Sequence, residues 1–357
     1  MTEIPPLQVA EISPSLKLAY IDSFSLLSPE ERSEQYTTIL AIHGVGFNSA
    51  VFSTLIPHLP PKTRLIAYNQ RSYRGSSPAF ESKEKGGVDV TARYLEDCLE
   101  FLKWSVRELG LTGKRDGGQV VLLSWSKGCV IPISLLSLLV SFRSSTSRPE
   151  SSFLPHLSPS TLRLAQDLIS THISSLVLFE PPGSAFSRPP SQDFLNSMSS
   201  VLPPHDQTVT RQDWALAFAG WVGGYREARN EEEEKQVLEK SGLEDFDRDL
   251  VRAGWEWGCV DHGFSWSLAG EKEEVRRIGE DAIRGEVEGV KVVILYGSRT
   301  VGYFEETVEM IRDWWKEDRI EAGKKTIRTV EGTNHFGFVH KPREFVDVLM
   351  GCIEEST

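Results

Sequence analysis

A serine in a run of small residues is the first feature of the sequence that could do chemistry. Ser126 stands in the string SWSKG at 124–128, with an apolar run at 120–123 before it and a second apolar run after it. This order predicts a strand, a tight turn and a helix, with the serine hydroxyl projecting from the turn. The first N–H groups of a helix lack partners within the helix, so the start of this one could stabilise an anion. Ser126 is therefore a candidate nucleophile.

A glycine-bearing loop follows the first strong apolar run. His43, Gly44, Val45 and Gly46 come directly after the strand predicted at 37–42. Glycine in such a loop lets a backbone N–H approach a substrate oxygen. A dinucleotide or phosphate loop is the rival interpretation. It is a poor one, because GVGFNS lacks the third glycine of G-x-G-x-x-G and the chain has no GK[ST] string.

These two segments resemble the nucleophile elbow, G-x-S-x-G, and the HGxG loop of the α/β-hydrolase family. The resemblance implies that Ser126 is the nucleophile and that backbone N–H groups form an oxyanion hole. It implies Lys127 as one donor, and in the HGxG loop Val45 as the first candidate with Gly44 as the next. The chain departs from the elbow at 124, where serine replaces the first glycine. Serine is small, so we expect the turn to close.

The resemblance also implies a histidine base. A serine nucleophile needs an imidazole within hydrogen-bond reach to take its proton. His335, one of eight histidines, follows the last predicted strand and precedes the closing helix, which is where the family places its histidine. His43 is expected to be structural, because it belongs to the oxyanion loop. For His262 two roles stay open, a pocket residue or an ordinary surface histidine.

The carboxylate that should hold the histidine base does not stand where the family usually has it. The usual pattern after the penultimate strand is G-x-x-D, whereas here Gly297 is followed by serine, arginine and Thr300. Glu180 directly follows another predicted strand, at the carboxyl end where parallel sheets build their sites. We predict that Glu180 holds the Nδ1 side of His335, which is what a resemblance to zearalenone lactonase-like members of the family implies. Two alternatives stay open: Glu180 only caps the next segment and the acid is missing, or Asp261 is recruited.

The elements that would position these residues alternate along the chain. Apolar runs rich in β-branched residues alternate with segments of helical period, which is typical of an α/β protein with a mostly parallel sheet. Strands are predicted at 37–42, 64–68, 119–123, 174–179, 290–296 and 325–330, and helices at 88–109, 128–142, 162–169, 307–315 and 342–353. The resemblance implies the α/β-hydrolase fold, with residues 1–187 and 289–357 as its core.

Residues 188–288 lack strand signals and carry helical patterns with five of the nine tryptophans. By the same resemblance this insertion is a helical cap over the catalytic serine. Trp214, Phe218 and Trp221 recur at spacings of four and three, one helical face that could seal a pocket or pack the cap on the sheet. Trp125, beside the nucleophile, would add an apolar floor. We therefore favour an uncharged, hydrophobic ester, lactone or thioester as substrate.

Charge and cysteine content narrow the class of protein. The 357 residues include 51 acids and 39 bases, a net charge of -12, which argues against a nucleic-acid binder because such proteins present a basic face. The chain has no run of 18 apolar residues, so no membrane span is predicted. Residues 1–14 lack the features of a signal peptide, so we expect a cytoplasmic protein.

The cysteines are widely separated and form no CxxC pair, which predicts reduced thiols rather than disulfides or a zinc site. They are Cys98, Cys129, Cys259 and Cys352.

The function that the resemblance implies is a serine hydrolase acting by acyl transfer, with no metal or organic cofactor. Epoxide hydrolases and haloalkane dehalogenases share the fold but use an aspartate nucleophile, and Ser126 speaks against both. Acyltransferases, carbon–carbon bond hydrolases and cofactor-free peroxidases share the serine triad and stay open. A non-catalytic ligand-binding protein is the alternative from another class. Its only support is the missing G-x-x-D aspartate.

Overall fold

An eight-stranded sheet with helices on both faces forms the framework of the chain. A computed structural model describes residues 3–28, 32, 35–79, 88–143, 157–186, 188, 196, 254, 256, 272–300, 302–318 and 324–354. The strands are β1 Gln8–Ser13, β2 Leu16–Asp22, β3 Thr37–Ile42, β4 Thr63–Tyr68, β5 Gln119–Trp125, β6 Ile173–Phe179, β7 Lys291–Gly297 and β8 Lys325–Val330. The longer helices among these residues are α1 Val88–Glu108, α2 Val130–Arg143, α3 Pro159–Thr171, α4 Lys272–Arg284, α5 Gly302–Glu317 and α6 Pro342–Glu354.

The sheet topology brings the carboxyl ends of six strands to one edge. The strand order is β1-β2-β4-β3-β5-β6-β7-β8, and every neighbouring pair from β4 to β8 is parallel. The strands also end in register: Trp125 at the end of β5 pairs with Phe179 at the end of β6, and Gly297 of β7 pairs with Val330 of β8. The loops that follow these strands therefore meet at the edge where open α/β sheets place their sites.

Alternate residues of the central strands face opposite layers of the core. In β5, Val120 and Leu122 pack in the layer that contains α1 to α4, whereas Val121 and Leu123 pack in the layer that contains α6 and the 3-10 helix Ser49–His58. A strand covered on both faces must be apolar at both parities. This burial is why the strand reads as one continuous apolar run in the sequence.

The predicted fold class is confirmed, and one part of the sheet was not predicted. β3 and β8 have the predicted ends, and the other predicted strands appear within two residues of theirs. The antiparallel pair β1 and β2 lies in a segment where no element was predicted. β1 is an edge strand in which only Ala10 is buried, so it carries no apolar run. Its pairing with β2, and that of β2 with β4, comes from the tertiary structure.

α4 is the longest described part of the segment predicted to form the cap. Its apolar residues Ile278, Ala282 and Ile283 are buried in the same core layer as α2. The cap boundaries 188–288 stay a prediction, because most of that segment lies outside the described residues. None of the helices in the described ranges combines the length and apolar character needed to cross a membrane.

Candidate active site

Ser126 lies on a strained turn between β5 and α2. Its φ is 53°, in the left-handed region that costs a non-glycine residue about 1–3 kcal/mol. The 3-10 helix Ser126–Cys129 begins at the serine and runs directly into α2. Gly128 lets this turn pack against the end of β3, because a Cβ there would lie 2.6 Å from the carbonyl oxygen of His43. The described backbone is thus the strand–turn–helix that a nucleophile elbow requires.

Glu180 and His335 form a buried pair at the same sheet edge. Oε2 of Glu180 lies 2.5 Å from Nδ1 of His335, and the two residues are 0% and 2% exposed. A carboxylate can only accept a hydrogen bond, so this contact places a proton on Nδ1, and in the neutral ring Nε2 is then the acceptor. An imidazole held in this tautomer can take a proton from a neighbouring hydroxyl.

Three donors satisfy the carboxylate of Glu180. The backbone N–H of Gly297 donates to Oε1 at 3.0 Å, and the hydroxyl of Thr300 donates to Oε2 at 2.7 Å, beside the His335 contact. A buried carboxylate is tolerated only when it is hydrogen-bonded in this way. Glu180 also has a positive φ of 51°, so the backbone is strained at the residue that provides this carboxylate.

The two departures from the family pattern are both hydroxyl residues that donate within the site region. Oγ of Ser124, which stands in place of the first elbow glycine, donates to the carbonyl of Val177 in β6 at 3.0 Å and is buried. Thr300, which stands in place of the usual aspartate, donates to Glu180. The G-x-x-D position therefore still contacts the acid of the pair, although it does not supply it.

Aromatic rings hold His335 from two sides. The ring of Phe304 stacks on the imidazole at 4.3 Å between centroids, with planes 16° apart. Trp125 is 2% exposed, and its indole Nε1 donates to the carbonyl oxygen of His335 at 2.9 Å. Trp125 was predicted to line the substrate pocket, and its contacts in the structure hold the His335 loop. The pocket role stays a prediction.

The HGxG loop lies against the Ser126 turn. A Cβ on Gly44 would lie 3.1 Å from Cβ of Ser126, so only glycine allows this approach without displacement. The carbonyl of Gly44 accepts a hydrogen bond from Nδ1 of His43 at 2.8 Å. In a trans peptide the C=O and N–H groups point in opposite directions. This bond therefore turns the N–H of Val45 away from the His43 ring.

His43 is an uncharged structural histidine. Its Nε2 accepts the backbone N–H of Gln70 at 3.0 Å, which leaves the proton on Nδ1 for the Gly44 carbonyl. Complete burial lowers the pKa of His43 to about 4. The ring therefore stays neutral and keeps both bonds at neutral pH, as expected for a residue that shapes the loop.

The buried His43 predicts a loss of stability in mild acid. The unfolded chain takes up a proton near pH 6.5, whereas the folded chain does so only near pH 4, so stability falls as the pH drops through that window. The loss is about 3 kcal/mol. Unfolding by urea at pH 7 and pH 4 measures it: His43→Gln should flatten this dependence, and His58→Gln, which removes an exposed histidine, should not. Equal slopes for all three proteins would contradict the prediction.

Lys127 follows the nucleophile and has a buried side chain. It is 7% exposed, and burial lowers the pKa of its ammonium to about 7. The ammonium next to Ser126 is thus partly deprotonated at neutral pH. The role predicted for Lys127 concerns its backbone N–H, which belongs to the first turn of the helix that begins at Ser126.

Not all of the predicted site residues can be located. Trp214, Phe218, Trp221 and His262 lie outside the described residues, as does the alternative acid Asp261. Within the residues that are described, no three His, Cys, Asp or Glu side chains are grouped so that they could hold a metal ion.

Two contacts of the site were missed in the sequence. The stacking of Phe304 on His335 had no signal, because an apolar residue just before a predicted helix indicates only core packing. The hydrogen bond from Thr300 had one. Thr300 occupies the usual aspartate position, and a hydroxyl there could have been read as a donor to an acid placed elsewhere.

The chain belongs to the α/β-hydrolase family, whose family model matches residues 39–348. In a comparison with curated proteins, none matches the chain. The order of the sheet and the position of the elbow after β5 agree with this assignment.

The solved structures with a similar fold belong to enzymes that are named for different reactions. A bromoperoxidase from Bacillus anthracis superposes with a TM-score of 0.54 at 14% identity, covering 98% of this chain and 100% of that one. A carboxylesterase structure from Nitrososphaera gargenis has a TM-score of 0.51 at 13% identity, covering 98% of each chain. A haloalkane dehalogenase from Agrobacterium tumefaciens C58 has a TM-score of 0.53 at 13% identity, covering 99% and 97%. At these identities the likeness shows the fold alone.

Proposed function

We propose that the chain is a serine hydrolase that cleaves an uncharged ester, lactone or thioester by acyl transfer. The observation that carries this proposal is the buried Glu180–His335 pair at the sheet edge where the Ser126 turn also lies. Ser126 attacks the carbonyl while His335 takes its proton and passes it to the leaving group, with Glu180 holding Nδ1. The N–H groups of Val45 and Lys127 stabilise the oxyanion. Water then releases the acyl group by the same steps.

The residue types at the site favour this reaction over the others found on the fold. Dehalogenases and epoxide hydrolases of the family use an aspartate nucleophile, and a serine stands at 126. The carboxylesterase among the similar structures supports ester cleavage as a reaction of the fold. The ligand-binding alternative was based on the missing G-x-x-D aspartate. The hydrogen bond between Glu180 and His335 weighs against it, because a carboxylate reaches the imidazole from another strand.

The surroundings of His335 support an uncharged substrate. The rings of Phe304, Trp125 and Phe336 all lie within 5.6 Å of the imidazole, measured between centroids. A charged group bound there would lose its hydration without a partner. An apolar acyl or alcohol group loses nothing and gains by leaving water.

A fluorophosphonate probe tests the proposal. The probe should label the wild-type chain and should fail to label Ser126→Ala. Ser124→Ala is the matched control, because its hydroxyl is buried and bonded to Val177; this variant should still be labelled. A panel of nitrophenyl esters and lactones of increasing chain length should then show turnover that rises with apolar length. A chain that binds these compounds without labelling or turnover would be a binding protein.

A further inference from the structure

Two residues of the segment 188–288 contact the proposed oxyanion loop. The carbonyl of Gly254 accepts the backbone N–H of Asn48 at 2.7 Å, and the backbone N–H of Glu256 donates to the carbonyl of Gly46 at 2.9 Å. Glu256 is far from this loop in sequence, 208 positions after Asn48. The loop that carries Val45 is therefore held by contacts from outside the sheet.

The residue after Val45 is held on both sides. The N–H of Gly46 donates to the hydroxyl of Tyr73 at 3.0 Å, and its carbonyl accepts from Glu256. Gly46 has a φ of 80°, so its peptide groups can turn easily unless both are bonded. A rotation here would move the neighbouring Val45 peptide, whose N–H is the proposed oxyanion donor.

The carboxylate of Glu256 joins two loops. Its Oε1 accepts the side-chain amide of Asn48 at 2.6 Å, and its Oε2 accepts the backbone N–H of Arg74 at 2.6 Å. Arg74 directly follows Tyr73, which holds Gly46 from the other side. One carboxylate thus supports the oxyanion loop directly and through its neighbour. Both bonds end on one carboxyl group, and bonds to an ionised carboxylate are shorter and stronger than neutral ones.

We propose that Glu256 is a positioning residue of the hydrolase reaction, which holds the Val45 N–H where the oxyanion forms. This inference rests on the proposed function. The hydrogen bonds that Glu256 makes to described residues reach Gly46, Asn48 and Arg74, so it acts on the loop and not on the reacting atoms. Removing an oxyanion donor costs about 10²–10³ in kcat. Loosening the donor without removing it should cost less, about tenfold to a hundredfold.

The test is a pair of substitutions that reverses the polarity of the bond. Asn48→Asp keeps the oxygen that accepts the Ala50 N–H at 2.9 Å, but turns the amide donor into an oxygen that faces Oε1 of Glu256. Glu256→Gln alone puts a second donor against Asn48 or against Arg74. In the double variant, the glutamine amide can donate to the new carboxylate at position 48 while its oxygen accepts from Arg74. Each single substitution should lower kcat about tenfold or more, and the double variant should regain most of it.

The affinity for a transition-state analogue separates a positioning role of Glu256 from a purely structural one. If Glu256 positions the donor, kcat and the affinity for a boronic acid transition-state analogue fall together, while KM stays within about twofold. Retained kcat in Glu256→Gln and Glu256→Ala, or a loss that the double variant does not restore, would overturn the inference. The proposed function would survive, because the wild-type chain would still turn over substrate and take the fluorophosphonate label. A wild-type chain that does neither would remove the proposed function and this inference with it.

Discussion

Replacing Ser126 by alanine should lower kcat by about 10⁴–10⁶-fold while the fold stays intact. The side chain is small and half-buried, and its proposed task is chemical. Ester turnover measures the loss, and circular dichroism with thermal melting checks the fold. An alanine variant with near wild-type activity would overturn the whole mechanism.

A glycine at the same position separates chemistry from strain. Because the φ of residue 126 is 53°, Ser126→Gly should relieve about 1 kcal/mol of backbone strain. This variant should therefore be as inactive as Ser126→Ala but slightly more stable than the wild-type chain. His335→Ala should lose a similar amount of activity, and the double variant with Ser126→Ala should be little worse than either, because the two residues act as a unit.

Replacing Glu180 by glutamine should lower kcat by roughly 10⁴-fold. The N–H of Gly297 donates to Oε1 at 3.0 Å, so the amide oxygen must take that place and the amide nitrogen must face His335. A donor at this position favours the imidazole tautomer with its proton on Nε2. That tautomer cannot accept the proton of Ser126. Kinetics on the best ester of the panel measure the loss.

An aspartate at 300 provides the rescue for this prediction. Oγ1 of Thr300 lies 2.7 Å from the Glu180 oxygen that contacts His335, so a carboxylate at 300 is near enough to replace it. Thr300→Asp in the Glu180→Gln background should recover part of the lost activity and restore the family's usual arrangement. If Glu180→Gln keeps activity within about tenfold of wild type, Glu180 is not the acid. The Ser126–His335 pair would still stand.

Much of the fold could be read from the sequence because the central strands are buried on both faces. The central strand Thr37–Ile42 has the predicted ends, and five of its six residues are buried. Lys325–Val330 lies at one edge of the sheet but also has the predicted ends, since turn residues lie close to both of them. β1 could not be read in the same way. It is an edge strand whose exposed side chains carry no apolar pattern, and antiparallel pairing with β2 defines it.

The candidate site was predictable only where its residues are close together in the sequence. The elbow at Ser126 is local, because strand, turn and helix are adjacent in sequence and the small residues at 124 and 128 can be read directly. The supporting contacts are not local. Phe304 on the imidazole and Glu256 on the Asn48 loop join elements far apart in the chain, and no spacing rule indicates such pairs.

By itself the sequence determined the layered α/β architecture and the serine turn, because apolar periodicity and turn residues act over short distances along the chain. It offered Glu180 as the acid but left open whether this residue, Asp261 or no acid at all meets the base. Glu180 and His335 are 155 positions apart. Only the parallel register of β6, β7 and β8, which ends these strands at one edge, brings the Glu180 carboxylate to within hydrogen-bond distance of the His335 imidazole.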